Sequence, residues 1–161
     1  VQVSDLVKIR FDLDQDDSGW PPAASEGLWA APVGPNRFRL DNTPWFVRGV
    51  AADDIVEAAP DSTGALRFVR VLERGGRVVV RVIPREDGPL RGDRQAVLDQ
   101  FADLGITGEG MASPVSMVAL DIGPDASIAP AKSRLDQGEA DGRWHYEEGC
   151  VTEEWLRASD G

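Results

Sequence analysis

The chain has 161 residues, 42% of them hydrophobic, with 28 acidic against 17 basic side chains and a formal net charge of −11. That length supplies one domain or two small ones whose core needs no metal or disulfide staple, and the single Cys150 rules out an internal disulfide and favours a reducing compartment. No apolar run approaches the ~18 residues of a membrane span, the first ten residues lack the apolar core of a signal peptide, and the negative charge would repel phosphate backbones over much of the surface.

In chain order, residues 7–13 read VKIRFDL, with Val7, Ile9, Phe11 and Leu13 alternating with polar residues at the period of a half-buried strand. Residues 14–22, DQDDSGWPP, are a loop of acids closed by a double proline. Residues 28–31 predict a short strand, and 37–40 another after the turn at Gly34-Pro35-Asn36. The residues Asp41-Asn42-Thr43-Pro44 signal a further turn. Trp45-Phe46-Val47 follows as an apolar run, Asp53-Asp54 precedes a strand at 55–57, and 58–64 reads as loop. Short strands about ten residues apart, with turn chemistry between them, predict a small barrel closed by residues 66–72.

The stretch 66–84, LRFVRVLERGGRVVVRVIP, sits at the middle of this pattern. Its valines are stiff at χ1 and suit a pleated surface. Gly75-Gly76 suits a primed two-residue turn, so the stretch predicts a β-hairpin ended by Pro84. Its first arm alternates, as for a sheet with one wet face, whereas its second is almost wholly apolar, as for a strand covered on both.

Beyond it, Asp93 is placed to cap a helix reaching Leu104, with Val97, Leu98, Phe101 and Leu104 as its apolar stripe and Gly105 as its left-handed terminus. Strands follow at 106–111 and 115–122. Ser127 caps a second helix that Gly138 should stop, and a last strand runs from Trp144 toward Cys150. Counted from Val78 the order is βαββαβ, the split pattern of ferredoxin-like folds. The expected fold class is α+β: an SH3-like small β-barrel at 5–74, joined by the shared hairpin to a ferredoxin-like half at 75–151, with a tail at 152–161 that is a helical turn around Trp155 or disordered.

The segments VKIRFDLDQDDSGWPP, EGLWAAPVGPNRFRLDNTPWFVRGVAADDIVEA and GRWHYEEGC resemble the bacterial domain-of-unknown-function family numbered 4265. The resemblance runs from Val7 to about Cys150. It rests on the Leu28-Trp29-Ala30 strand, the turn at residues 41–44 and the 142–149 stretch. It implies a bacterial, cytoplasmic protein, and it carries no activity and no catalytic residue.

Asp12, Asp14, Asp16 and Asp17 invite a calcium reading, but Asp17 stands where the binding loop needs Gly and Ala23 where it needs Glu. A solvated acidic loop is expected there and no metal. His145, Glu147, Glu148 and Cys150 form the densest reactive group. On one regular strand, residues five apart face opposite ways, so His145 could not activate Cys150, and Glu148 would share the cysteine's face. Among the tryptophans, Trp29 reads as core, whereas Trp20 and Trp45 lie in loops beside acids, the latter near Asp53 and Asp54. No phosphate loop, zinc spacing or nucleophile elbow is present in the sequence. The leading expectation is therefore a non-enzymatic, acidic interaction protein without cofactor that binds a basic protein partner, rather than nucleic acid or membrane, as immunity or regulatory proteins do. Its binding candidates are Asp12, Asp14, Asp16, Asp17, Trp20, Trp45, Asp53, Asp54, His145 and Glu147. The alternative is a small enzyme or small-ligand-binding protein with its site in a cleft between the halves, using Trp45, His145, Glu147 and Cys150. A third reading, an RNA-stacking sheet, is opposed by the charge.

Overall fold

Alternating side chains set the first half of the structure, a computed structural model that describes residues 5–158. The first four residues of the stretch read for a signal peptide, and the last three of the expected tail, lie outside the described residues. The fold is α+β, with mostly antiparallel strands in two sheets, and the chain divides after Gly76 into two units.

In the first unit, β1 (Val7–Asp12), β2 (Ser25–Gly34), β3 (Arg37–Leu40), β4 (Ile55–Pro60) and β5 (Leu66–Glu73) form a closed barrel in that order. Successive strands pair antiparallel, and a short parallel pairing of Ile9 with Leu66 and Arg10 with Arg67 closes it. Period-two alternation turns Ile9, Phe11, Leu28, Leu40 and Val56 inward as its core. Phe11 stacks on Phe68 at 4.7 Å. Two strands outrun their sequence signals. β2 spans ten residues rather than four, and β4 continues to Pro60, whose missing donor is harmless at the strand's last position. Trp29 is not core: its neighbours Leu28 and Ala30 take the inward positions, and the residue itself is 44% exposed.

In the second unit, β6 (Val78–Pro84), β7 (Thr107–Met111), β8 (Met117–Ile122) and β9 (Trp144–Cys150) form an antiparallel sheet in the order β7-β8-β6-β9. Helix α1 (Arg94–Asp99) lies between β6 and β7 in sequence, α2 (Ile128–Ala140) between β8 and β9, and α3 (Glu153–Arg157) follows β9. Val78, Val80, Val82, Phe101, Leu135 and Trp144 belong to one buried core, which Trp155 of α3 completes. The tail thus holds a short helix, with Thr152 accepting the Trp155 N–H at 3.1 Å.

The arms of the 66–84 stretch are not a hairpin. β5 pairs with β4 and β1, and β6 with β8 and β9. Positive φ is confined to Gly76 (88°), while Gly75 brings its backbone against Asp53, where a Cβ would stand 2.8 Å from the Asp53 carbonyl carbon. The glycines are there for close approach and a change of direction, not for a primed turn.

The predicted helix at 93–104 is interrupted. Asp93 caps α1 by accepting the N–H groups of Gln95 and Ala96, but a separate 3-10 turn, Ala102–Leu104, ends at left-handed Gly105. Gly138 does not stop α2, which runs on to Ala140. It makes room for the Trp144 indole, whose Nε1 donates to the Leu135 carbonyl at 3.0 Å. A Cβ at 138 would lie 2.2 Å from the ring. Replacing a helical glycine by alanine ordinarily gains about 1 kcal/mol. Here overpacking reverses the sign, and Gly138→Ala should cost about 1–3 kcal/mol or more in urea unfolding. A stabilised variant would show that the ring does not pack there.

Candidate functional site

The loop between β1 and β2 is built on Asp16. Its carboxylate accepts the Ser18 N–H at 2.8 Å, the Ser18 hydroxyl at 2.5 Å and the Trp20 N–H at 3.0 Å. Its own N–H donates to the Trp20 carbonyl at 2.7 Å. The Ser18 hydroxyl, followed by the Trp20 N–H, holds the Asp16 carboxyl below its ordinary value of 3.8. Asp12, Asp14 and Asp17 stay exposed around this knot. The half-exposed Trp20 ring meets Phe46 edge-on at 5.9 Å, beyond a cis Trp20–Pro21 peptide.

Phe46 is held from β2. The segment 45–47 belongs to no strand, so its N–H groups need other acceptors. The Glu26 carboxylate supplies them, accepting from Trp45 at 2.6 Å, Phe46 at 2.9 Å and Val47 at 2.8 Å. The two loops form an open cavity of about 160 Å³ lined by Asp12, Leu13, Asp14, Pro21, Phe46, Val47 and Arg48. Four of its lining residues are apolar, and two carboxylates against the one guanidinium of Arg48 leave the lining net acidic, which suits a cationic group on an aliphatic stem.

The other acidic candidates lie apart from this cavity. Asp54 is 1% exposed and accepts the Ala51 N–H at 3.0 Å and the Gly75 N–H at 2.8 Å, with Arg74 Nη1 at 3.4 Å. It pins the chain where β5 ends. Asp53 is exposed beside it at a φ of 71°.

His145 and Glu147 belong to β9 in the second unit. His145 is exposed on a groove of about 390 Å³ with Arg85, Asp87 and Ser116. Glu147 lies 3.6 Å from Arg81, a guanidinium only 1% exposed, against which Gly149 packs without room for a side chain. The face assignment for Cys150 is corrected by a bulge: Val79 pairs with Cys150 but Val80 with Glu148, so Gly149 is the extra residue. Cys150 therefore joins the face of Val79 and Ile83, the latter opposite His145, while Glu148 reaches the indole of Trp155. The thiol is still remote from the imidazole, because their partners on β6 are four positions apart, about 13 Å along the strand. Among the described residues no group of three or more His, Cys, Asp or Glu is arranged to hold a metal ion.

Sequence reasoning missed Glu26, for which three carboxylate-bound N–H groups predict a large structural effect. Glu26→Ala should cost about 2–3 kcal/mol in chemical unfolding, and Glu26→Gln, which keeps an acceptor oxygen, should cost less. Equal stability of both variants and the parent would mean that water replaces the carboxylate. The Asp16 carboxyl should titrate below 3.8 by NMR. With a lowered folded-state pKa, its contribution is full above the unfolded value and fades as pH falls through the folded one. A midpoint at or above 3.8 would contradict the hydrogen-bonded knot.

No curated protein matches the chain. It is similar in fold to a solved structure described as a novel crystal structure of a hypothetical protein from Neisseria gonorrhoeae, with a TM-score of 0.68, 18% identity, and coverage of 89% of this chain and 94% of that one. The family model for a domain of unknown function, DUF4265, matches residues 26–146. That match runs from the second residue of β2 to the third residue of β9, and includes Glu26, Trp45 and His145. The chain belongs to the DUF4265 family.

Proposed function

We propose that this protein is a non-enzymatic interaction protein of the bacterial cytoplasm that binds a basic protein partner, as immunity or regulatory proteins do, with no nucleic acid or membrane involved. The observation that carries the reading is the pairing of the exposed Asp12, Asp14 and Asp17 with a cavity lined in part by Leu13, Pro21, Phe46 and Val47, where Trp20 meets Phe46 edge-on. Charge steers the encounter and the aromatic neighbourhood supplies contact area shielded from water. The net charge of −11 extends the attraction beyond the loop itself. In fold terms, we read the first unit as an SH3-like barrel and the second as ferredoxin-like. The sheet order β7-β8-β6-β9, with helices in both long crossovers, supports the second assignment.

The alternative reading, a small enzyme or ligand-binding protein, draws on the groove beside His145 with its Arg85, Asp87 and Ser116. A small molecule that copurifies with the protein and is displaced by His145→Ala would favour it.

The test of the leading reading is kinetic and uses a partner captured from native lysate at low salt and released at high salt. Neutralising Asp12, Asp14, Asp16 and Asp17 together should slow association and flatten its salt dependence, with little change in dissociation. Trp20→Ala should do the reverse, speeding dissociation by a factor corresponding to about 2 kcal/mol. Association as fast as the parent's at low salt would reduce the loop to solvated surface.

A further inference from the structure

The outward face of the barrel's first three strands carries a basic patch within an acidic chain. Lys8 and Arg10 of β1 and Arg39 of β3 are exposed there, and between them stands Trp29 of β2. Lys8 is paired with Trp29 across the ladder, and its ammonium lies 4.8 Å from the centre of the ring. Its stem crosses Gly27, where any Cβ would come within 2.8 Å of Lys8 Cδ. Arg39 covers Ala31, its partner on β2, which is 5% exposed. Elsewhere on the barrel the arginines are engaged with acids: Arg37 with Glu73, Arg67 with Asp12 and Asp61, and Arg70 with Glu57. Among the described residues Lys8, Arg10 and Arg39 have no such carboxylate.

We propose that this face is a docking surface for an extended acidic peptide segment of another protein, with carboxylates at alternate positions. Lys8 and Arg10 are two residues apart on a strand, so their Cα atoms are separated by about 6.6 Å along it, the same spacing as side chains i and i+2 of an extended ligand. Asp12 comes next on that row and already holds Arg67, so the row reads basic, basic, acidic. A ligand lying along β1 would therefore present acid, acid, base. Trp29 supplies the apolar contact beside the charges, at a position where two χ angles carry a large area. A long polyanion fits less well, because its further phosphates would run onto a protein of net charge −11. This surface meets the acidic loop only at Asp12, and its test, read at Lys8, Arg10 and Trp29, does not depend on that reading.

The full chain, labelled for NMR, is titrated at low salt with a capped Glu-Thr-Glu-Thr-Glu-Thr-Lys peptide, with a peptide of the same composition whose three acids are contiguous, and with a thymidine hexanucleotide. Shifts are expected at the Trp29 indole N–H and along β1 and β2, with the alternating peptide binding more tightly than the other two ligands. Exposed ion pairs contribute a few-fold each, so Lys8→Gln with Arg10→Gln should weaken binding about tenfold. Trp29→Phe, a milder change with the fold checked by its amide spectrum, should weaken it less. Tighter binding of the oligonucleotide would reassign the face to nucleic acid and overturn the proposal. So would equal affinity for the two peptides, no saturable shifts at millimolar peptide, or an unchanged affinity in the double variant.

Discussion

The Glu26 carboxylate is the constraint on which the cavity end of the barrel depends. The chain between β3 and β4 crosses residues 45–47 without a ladder, so their N–H groups need acceptors from elsewhere. A carboxylate reaching from β2 meets three of them at once. Charged acceptors make stronger bonds than neutral ones, and a single anchored group fixes a whole segment. Phe46 is thereby presented to Trp20, and the acidic loop, tied by Asp16, comes to rest beside it. The cavity is therefore a consequence of two carboxylates that bind the chain's own backbone, which leaves Asp14 and Asp17 facing solvent beside Asp12, itself exposed but paired with Arg67.

Asp54 does comparable work at the far end of β5. It is buried and binds the N–H of Ala51 and of Gly75, so one side chain joins the approach to β4 with the exit from β5. Of the four acids in the two adjacent pairs Asp16-Asp17 and Asp53-Asp54, one member of each pair is spent on backbone and the other remains exposed. Net charge alone thus overstates the carboxylates available to a partner.

Strands with one wet face were legible because burial imposes period two, as in VKIRFDL and RFRL. The polarity contrast between the arms of the 66–84 stretch was legible for the same reason: β6 is buried on both faces at all but one position, whereas β5 is half exposed. The Asp93 cap and the left-handed Gly105 followed from local chemistry. What was not legible depended on distant partners. A Gly-Gly pair suits a hairpin turn and a handover between sheets alike, and only the pairing of β5 with β4 and β1 separates them. Gly138 looks like a helix stop until the Trp144 ring is known to lie against it. The Gly149 bulge shifts Cys150 by one face, a displacement that no strict alternation anticipates. Trp29 was the avoidable miss, since with Leu28 and Ala30 inward, alternation alone turns it out. Of the candidate site, the acidic loop and its tryptophan were visible as composition. Glu26 was not, because a lone glutamate in a strand carries no signature of the loop it holds.

A protein of this charge attracts any basic peptide weakly over its whole surface, so location and saturation matter more than affinity. The most direct measurement is an amide and indole shift map of the full chain titrated with a short arginine-rich peptide. The account predicts saturable shifts concentrated at residues 14–20 and 45–48, including the Trp20 indole N–H, that vanish when Asp12 and Asp14 are both replaced by Asn. Shifts that are spread evenly, fail to saturate, or centre on another part of the chain would contradict a basic-partner site at this cavity.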